Sequence, residues 1–224
     1  MDFDVITNNL KKGFEVWMEN VVAYLVAMVL PTVLMLIVIG IMWVVVFIPF
    51  LTGTLTGAAI GMVMALVMLA VMLFLSFFVV LPLEFGIVYM TVKGASGEKV
   101  EITDLFYAFK SVSAYTRSLV CIVVLGILFL ISSIIPIIGP IIFVVLFTYA
   151  AFIYIMVPSE GIVYALTESF NIAKENLAIT IVAIIVIIIL NLLGAFFVIG
   201  TIVTMPVSYL FLTFLIKELN PSIT

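Results

Sequence analysis

The chain has 224 residues, 67% of them hydrophobic and 9% charged, with a mean hydropathy of +1.54 and a formal net charge of −4. Soluble domains average about 45–50% apolar and about 25% charged residues, so a soluble core cannot hide this much apolar surface. The acidic balance excludes a nucleic-acid surface. The lack of histidine and the single cysteine, Cys121, exclude histidine base chemistry, a multi-cysteine metal site and an intrachain disulfide.

The N-terminus is acidic before it is basic, with no early apolar run, so it does not read as a cleavable signal. Asp4 to Asn20 reads as an amphipathic elbow helix, with Asp4 as N-cap and Ile6, Leu10, Phe14 and Trp17 on the apolar face. Trp17 suits the lipid headgroup level, where its N–H stays wet. A first span follows from Val21 to Ile48 and is expected to kink at Pro31. After an uncharged turn over 49–57, Gly53, Gly57, Gly61 and Ala65 recur at every fourth position. Small residues at this spacing let a neighbouring helix approach, either another span of this chain or a second copy. The second span reaches Leu81 and runs on past Pro82 and Glu84 to a glycine break at Gly94–Gly97.

A polar stretch leads to a second elbow over 102–115, with Thr103 or Asp104 as N-cap. The third span covers 118–135 and, after an uncharged turn, the fourth covers 141–157. Pro158 to Asn176 is the third elbow, with Leu166, Phe170 and Ala173 on its apolar face and Glu168, Asn171 and Glu175 opposite. The fifth span, 177–198, has Asn191 as its one strongly polar residue, and the sixth ends near 216 with Pro206 inside. All eight Lys and Arg residues fall at the two ends or between spans two and three and spans four and five. The positive-inside rule then puts both termini in the cytoplasm, with the plasma membrane as the location.

The elbows share the pattern Leu-x-x-small-Phe, at Leu10–Phe14, Leu105–Phe109 and Leu166–Phe170; the first and third also end in Glu-Asn. A second pattern, Pro-x-Glu followed by Gly-Ile-Val-Tyr, recurs at Pro82–Tyr89 and Pro158–Tyr164. The reading is an all-α, polytopic helical bundle forming one membrane domain over 1–224. Its six spans make three hairpins, each preceded by a cytoplasmic amphipathic elbow, in units of roughly 4–95, 100–160 and 161–219.

Ala165-Leu166-x-x-Ser169 followed by Lys174-x-Asn176, with Pro82-x-x-x-Gly86 and Asp104-Leu105-Phe106 upstream, resembles a large membrane-domain superfamily. That group includes the membrane-anchor domain of glycerophosphodiester phosphodiesterases and related uncharacterised six-span bacterial and archaeal proteins. The resemblance implies a six-span helical domain. It implies no catalysis, because the phosphodiesterase activity there belongs to an appended soluble domain.

Candidate functional residues follow from this arrangement. Glu84 and Glu160, each two residues after a proline at a membrane boundary, either share a proton or cation or serve as charges at restarting helix N-termini. Phe14, Trp17, Phe106, Phe109 and Phe170 are expected as interfacial anchors, with Lys11, Lys12, Lys110, Arg117 and Lys174 near lipid phosphates. No nucleophile–base pair, metal site or cofactor is expected, and no ionisable residue falls in the middle of a span, so the chain does not read as an enzyme. The leading expectation is a scaffold, accessory or protective protein working through its elbows and the membrane lipids, with a membrane-protein partner or a second copy as further partners. The alternative is a transporter or binder of a lipid-like or other hydrophobic compound.

Overall fold

The computed structural model describes residues 3–196 and 200–223, and those residues form no strand. In chain order the helices are α1 (Phe3–Glu19), α2 (Val21–Phe50), α3 (Leu55–Leu75), a π-helical turn at Ser76–Val80 and α4 (Leu81–Ala95). A 3-10 elbow at Ile102–Phe109 leads to α5 (Val112–Ser132), α6 (Ile138–Phe147), α7 (Ala150–Met156), α8 (Gly161–Glu175), α9 (Leu177–Phe196) and α10 (Gly200–Leu219). Among the described residues, six helical stretches are long and apolar enough to cross a membrane. They pair as three hairpins: α2 with α3–α4, α5 with α6–α7, and α9 with α10.

The second stretch, Leu55–Ala95, runs for 41 residues. At 1.5 Å per residue it is roughly 60 Å long, twice the roughly 30 Å of a bilayer core. Burial shows how its halves differ. In α3 only Gly57 and Gly61 are buried, whereas α4 buries Pro82, Leu83, Phe85, Gly86, Ile87, Val88, Met90, Thr91 and Gly94. The protein core therefore sits at the charged end, around α4 and the C-terminal half of α10. One cluster joins Phe85, Tyr149, Phe152, Ile153, Phe211 and Leu215; the other joins Trp17, Tyr24, Ile87, Met90, Leu105 and Leu210. Beyond Pro31, α2 contributes no further buried residue.

Each elbow lies against the second arm of the hairpin before it. The 3-10 elbow packs on α4, α8 packs on α6 and α7, and α1 closes the circle by packing on α10. In each case the small residue of Leu-x-x-small-Phe faces the bundle: Gly13, Ala108 and Ser169 are buried. A Cβ at Gly13 would lie 3.1 Å from the Phe211 amide nitrogen, and the Ser169 hydroxyl donates to the Leu146 carbonyl at 2.9 Å. The phenylalanine beside each is exposed instead: Phe14 by 48%, Phe109 by 43% and Phe170 by 40%. These are the rings expected at the lipid interface, and the face turned to the bundle is the one that carries the small residues. On α8 the buried residues are Ala165, Ser169, Ile172 and Ala173, with Phe170 outside that face. Backbones that approach this closely leave room for small side chains, not for aromatic rings.

Other boundaries shift for identifiable reasons. Asp104 is not an N-cap. Glu101 caps the 3-10 elbow, and Asp104 reaches back to the Glu101 N–H at 2.9 Å, completing a capping box. The elbow ends sooner than expected because Ser111 starts a new helix, its hydroxyl accepting from the Ala114 N–H. Gly53 does not pack a helix: it lies in the turn before α3 at φ +64°, a conformation that glycine adopts freely. Gly57 and Gly61 do pack, against the Pro49–Thr52 turn and the Phe50 ring of the same chain. The fourth span is split between α6 and α7 at Thr148–Tyr149. Asn20 and Asn176 end α1 and α8 alike, at φ −117° and −121°, each side-chain amide donating to the carbonyl four residues back.

Candidate functional site: an apolar crevice between three helices

Pro82 has no N–H to return to the preceding turn, and the π-helical turn directly before it shifts the helix register. The carbonyl four residues back, at Phe78, accepts from the Tyr115 hydroxyl at 3.0 Å instead. The first turn of α4 after this break carries Glu84. Facing it are Met28, Pro31, Thr32, Met35 and Leu36 of α2 and Met205, next to Pro206, on α10. With Val80 and Ile87 these side chains wall a crevice of about 320 Å³. Its rim residues Thr32 and Leu36 are exposed, so it opens on the outside of the bundle.

The crevice is apolar apart from two side chains. The Thr32 hydroxyl donates to the Met28 carbonyl at 2.8 Å. Glu84 is half-buried and has no hydrogen-bond or ion-pair partner among the described residues. No Lys or Arg lines the wall. Glu160 is elsewhere: exposed, just before α8 and making no side-chain cap. The structure does not bring the two carboxylates together, because Pro158 sits in a turn between two helices while Pro82 sits within a continuing one.

The charged end is mostly occupied by the protein's own contacts. Asp104 is buried and receives Lys93 Nζ at 2.7 Å and Lys110 Nζ at 3.1 Å. Burial alone would push its carboxyl pKa up; the bonds from Lys93, the Glu101 amide and Lys110 outweigh that and hold it below the ordinary carboxylate value. Arg117 donates to the Tyr154 carbonyl at 3.2 Å and lies over that residue's ring. Lys110 and Arg117 are thus committed to protein groups, whereas Lys11, Lys12 and Lys174 are exposed. Trp17 also departs from expectation. It is 7% exposed, packed in the second core cluster and stacked on Phe14, and its indole N–H has no partner among the described residues. The helix turns Gly13 to α10, and that rotation carries Trp17 inward. Phe106 is exposed as expected.

A wider groove of about 580 Å³ between α1 and α10 is lined by Lys11, Lys12, Glu15, Lys217 and Glu218. Its charges are mixed in sign, and Lys217 already caps α4 by donating to the Ala95 carbonyl at 3.1 Å and to the Ser96 hydroxyl at 3.0 Å. Asn191 belongs to the packing of the third hairpin: its amide donates to the Ser208 hydroxyl at 3.1 Å, and its carbonyl accepts from Thr204 at 3.2 Å. Sequence reasoning singled out Glu84 but not its setting. The signal was there in Pro31, Pro82 and Pro206, one in each of three spans, with methionines near two of them.

Fold and site together define a multi-pass helical membrane protein with a crevice opening between its spans. Set against protein-family models, curated proteins and solved structures, the chain matches none.

Proposed function

We propose that this chain is a non-catalytic protein of the plasma membrane, its termini cytoplasmic, that takes a lipid-like or other hydrophobic compound from the bilayer into the crevice between α2, α4 and α10. The crevice carries this reading: it is apolar, lies between membrane-crossing helices and opens outward. Its walls include Met28, Met35 and Met205, whose unbranched side chains adapt to ligands of varied shape. The distribution of Lys and Arg supports the orientation, and the six-span class that the sequence resembles fits it.

The scaffold reading is carried by a different observation. Phe14, Phe109 and Phe170 are exposed from equivalent positions of the three elbows, which suits a threefold internal repeat anchored in the lipid interface. Because the docking faces of the elbows are already used within the bundle, this role ranks second.

The test is native mass spectrometry of the protein released from nanodiscs of the host's own lipids. Wild type is expected to retain a specific adduct, and Met205→Trp, which fills the crevice, to lose it. Equal retention by both would overturn the reading.

A further inference from the structure

We infer that the compound held in the crevice is a cationic amphiphile, an apolar chain ending in a protonated amine that Glu84 receives. This rests on the crevice being a binding site, and it names the class of molecule that fits.

When Glu84 is ionised, the two polar side chains of the crevice offer only acceptors. Glu84 offers a carboxylate with no hydrogen-bond or ion-pair partner among the described residues, with the Tyr209 side chain within reach of its charge. Thr32 has spent its proton on the Met28 carbonyl, so only its oxygen lone pairs remain. A ligand that satisfies these groups must donate. A ligand that balances Glu84 must also be positive, because among the described residues no Lys or Arg lines the wall. A carboxylate left unpaired among apolar side chains is costly, and an ammonium donating to it relieves that cost by a charge-assisted hydrogen bond.

A bare metal ion fits poorly. Hard cations need several oxygen ligands, and no cluster of three or more acidic, cysteine or histidine side chains occurs among the described residues. The apolar walls ask for the rest of the molecule to be a hydrocarbon chain. An anionic lipid would set its charge against Glu84 and is disfavoured.

The experiment measures equilibrium binding of radiolabelled dodecylamine, dodecanol and dodecanoate to the full chain in nanodiscs, with empty nanodiscs subtracted. Dodecylamine is expected to bind saturably with a Kd at least about tenfold below that of dodecanol, and dodecanoate to bind weakest. Glu84→Gln should bring the amine to the alcohol's value, while Glu160→Gln leaves the preference intact. Thr32→Trp should abolish binding of all three by filling the rim. Dodecyltrimethylammonium gives a test that needs no variant. It keeps the charge but cannot donate, and should fall between amine and alcohol. If the three chains bind equally, or Glu84→Gln keeps the amine preference, cation recognition is overturned and the crevice stands. If none binds saturably, the crevice reading falls with it.

Discussion

Gly86 offers the sharpest test of how the elbows are held. A Cβ there would overlap the carbonyl oxygen of Leu105, a backbone atom of the 3-10 elbow. A side chain would swing away; this carbonyl moves only if the whole elbow does. Overpacking a tight contact costs about 1–3 kcal/mol, and a clash with backbone belongs at the upper end. Lifting the elbow also strains the Lys93–Asp104 bond at 2.7 Å, a charge-assisted hydrogen bond worth about 1.5–3 kcal/mol, and the Tyr89–Tyr107 stack at 4.0 Å. Against this, alanine gains about 1 kcal/mol over glycine in a helix. Gly86→Ala is therefore expected to destabilise by about 2–4 kcal/mol. Gly126, in α5, meets nothing within 4 Å, so Gly126→Ala should be neutral or stabilise by up to about 1 kcal/mol. Reversible unfolding in mixed micelles, titrated with a denaturing detergent, reads both variants on one scale. If Gly86→Ala stays within about 0.5 kcal/mol of wild type, the close docking of elbow on α4 is wrong.

Asp104→Asn removes the acceptor shared by Lys93, Lys110 and the Glu101 amide and should cost about 2–4 kcal/mol at neutral pH, read by the same titration. Because the native carboxyl titrates below its unfolded value, its contribution is fully present above about pH 4 and is lost as pH falls through the native pKa; the Asn variant should not show this acid-side loss. Asn191→Leu should weaken the α9–α10 pairing by about 1–2 kcal/mol, and a double-mutant cycle with Thr204→Val should show positive coupling. Tyr115→Phe strips the Phe78 carbonyl of its donor at about 1 kcal/mol, a cost that should shrink when Pro82→Ala supplies an N–H instead.

The spans were legible because twenty apolar residues in a row leave few alternatives, and because Lys and Arg clustered only where connections on one side must lie. The elbows were legible as elements, but the residues that dock them on the bundle were not. Phe14 and Phe170 look like the inward face on any soluble helix, where apolar means buried. Around a membrane bundle the outside is apolar too, so hydrophobic periodicity loses its sense of direction, and the small residues Gly13 and Ser169 point inward. The crevice was illegible for another reason: Met28, Glu84 and Met205 come from three hairpin arms far apart in sequence, and only packing brings them together. The Pro-x-Glu likeness between Glu84 and Glu160 misled because one proline interrupts a helix and the other separates two.

The docking of α1 on α10 has a consequence for how the protein is made. The surface that Gly13 presents is covered by Val207, Leu210 and Phe211, which are synthesised long after it. At about 5–20 residues per second, roughly ten to forty seconds pass between the emergence of the first elbow and that of its partner. Through that interval α1 has only its smaller contacts with α2 and α4, while the second and third elbows each meet a hairpin that is already complete. Biogenesis is thus asymmetric although the fold is nearly cyclic. A chain stalled before its last hairpin would expose its first elbow, a marker by which quality control can tell it from a finished one.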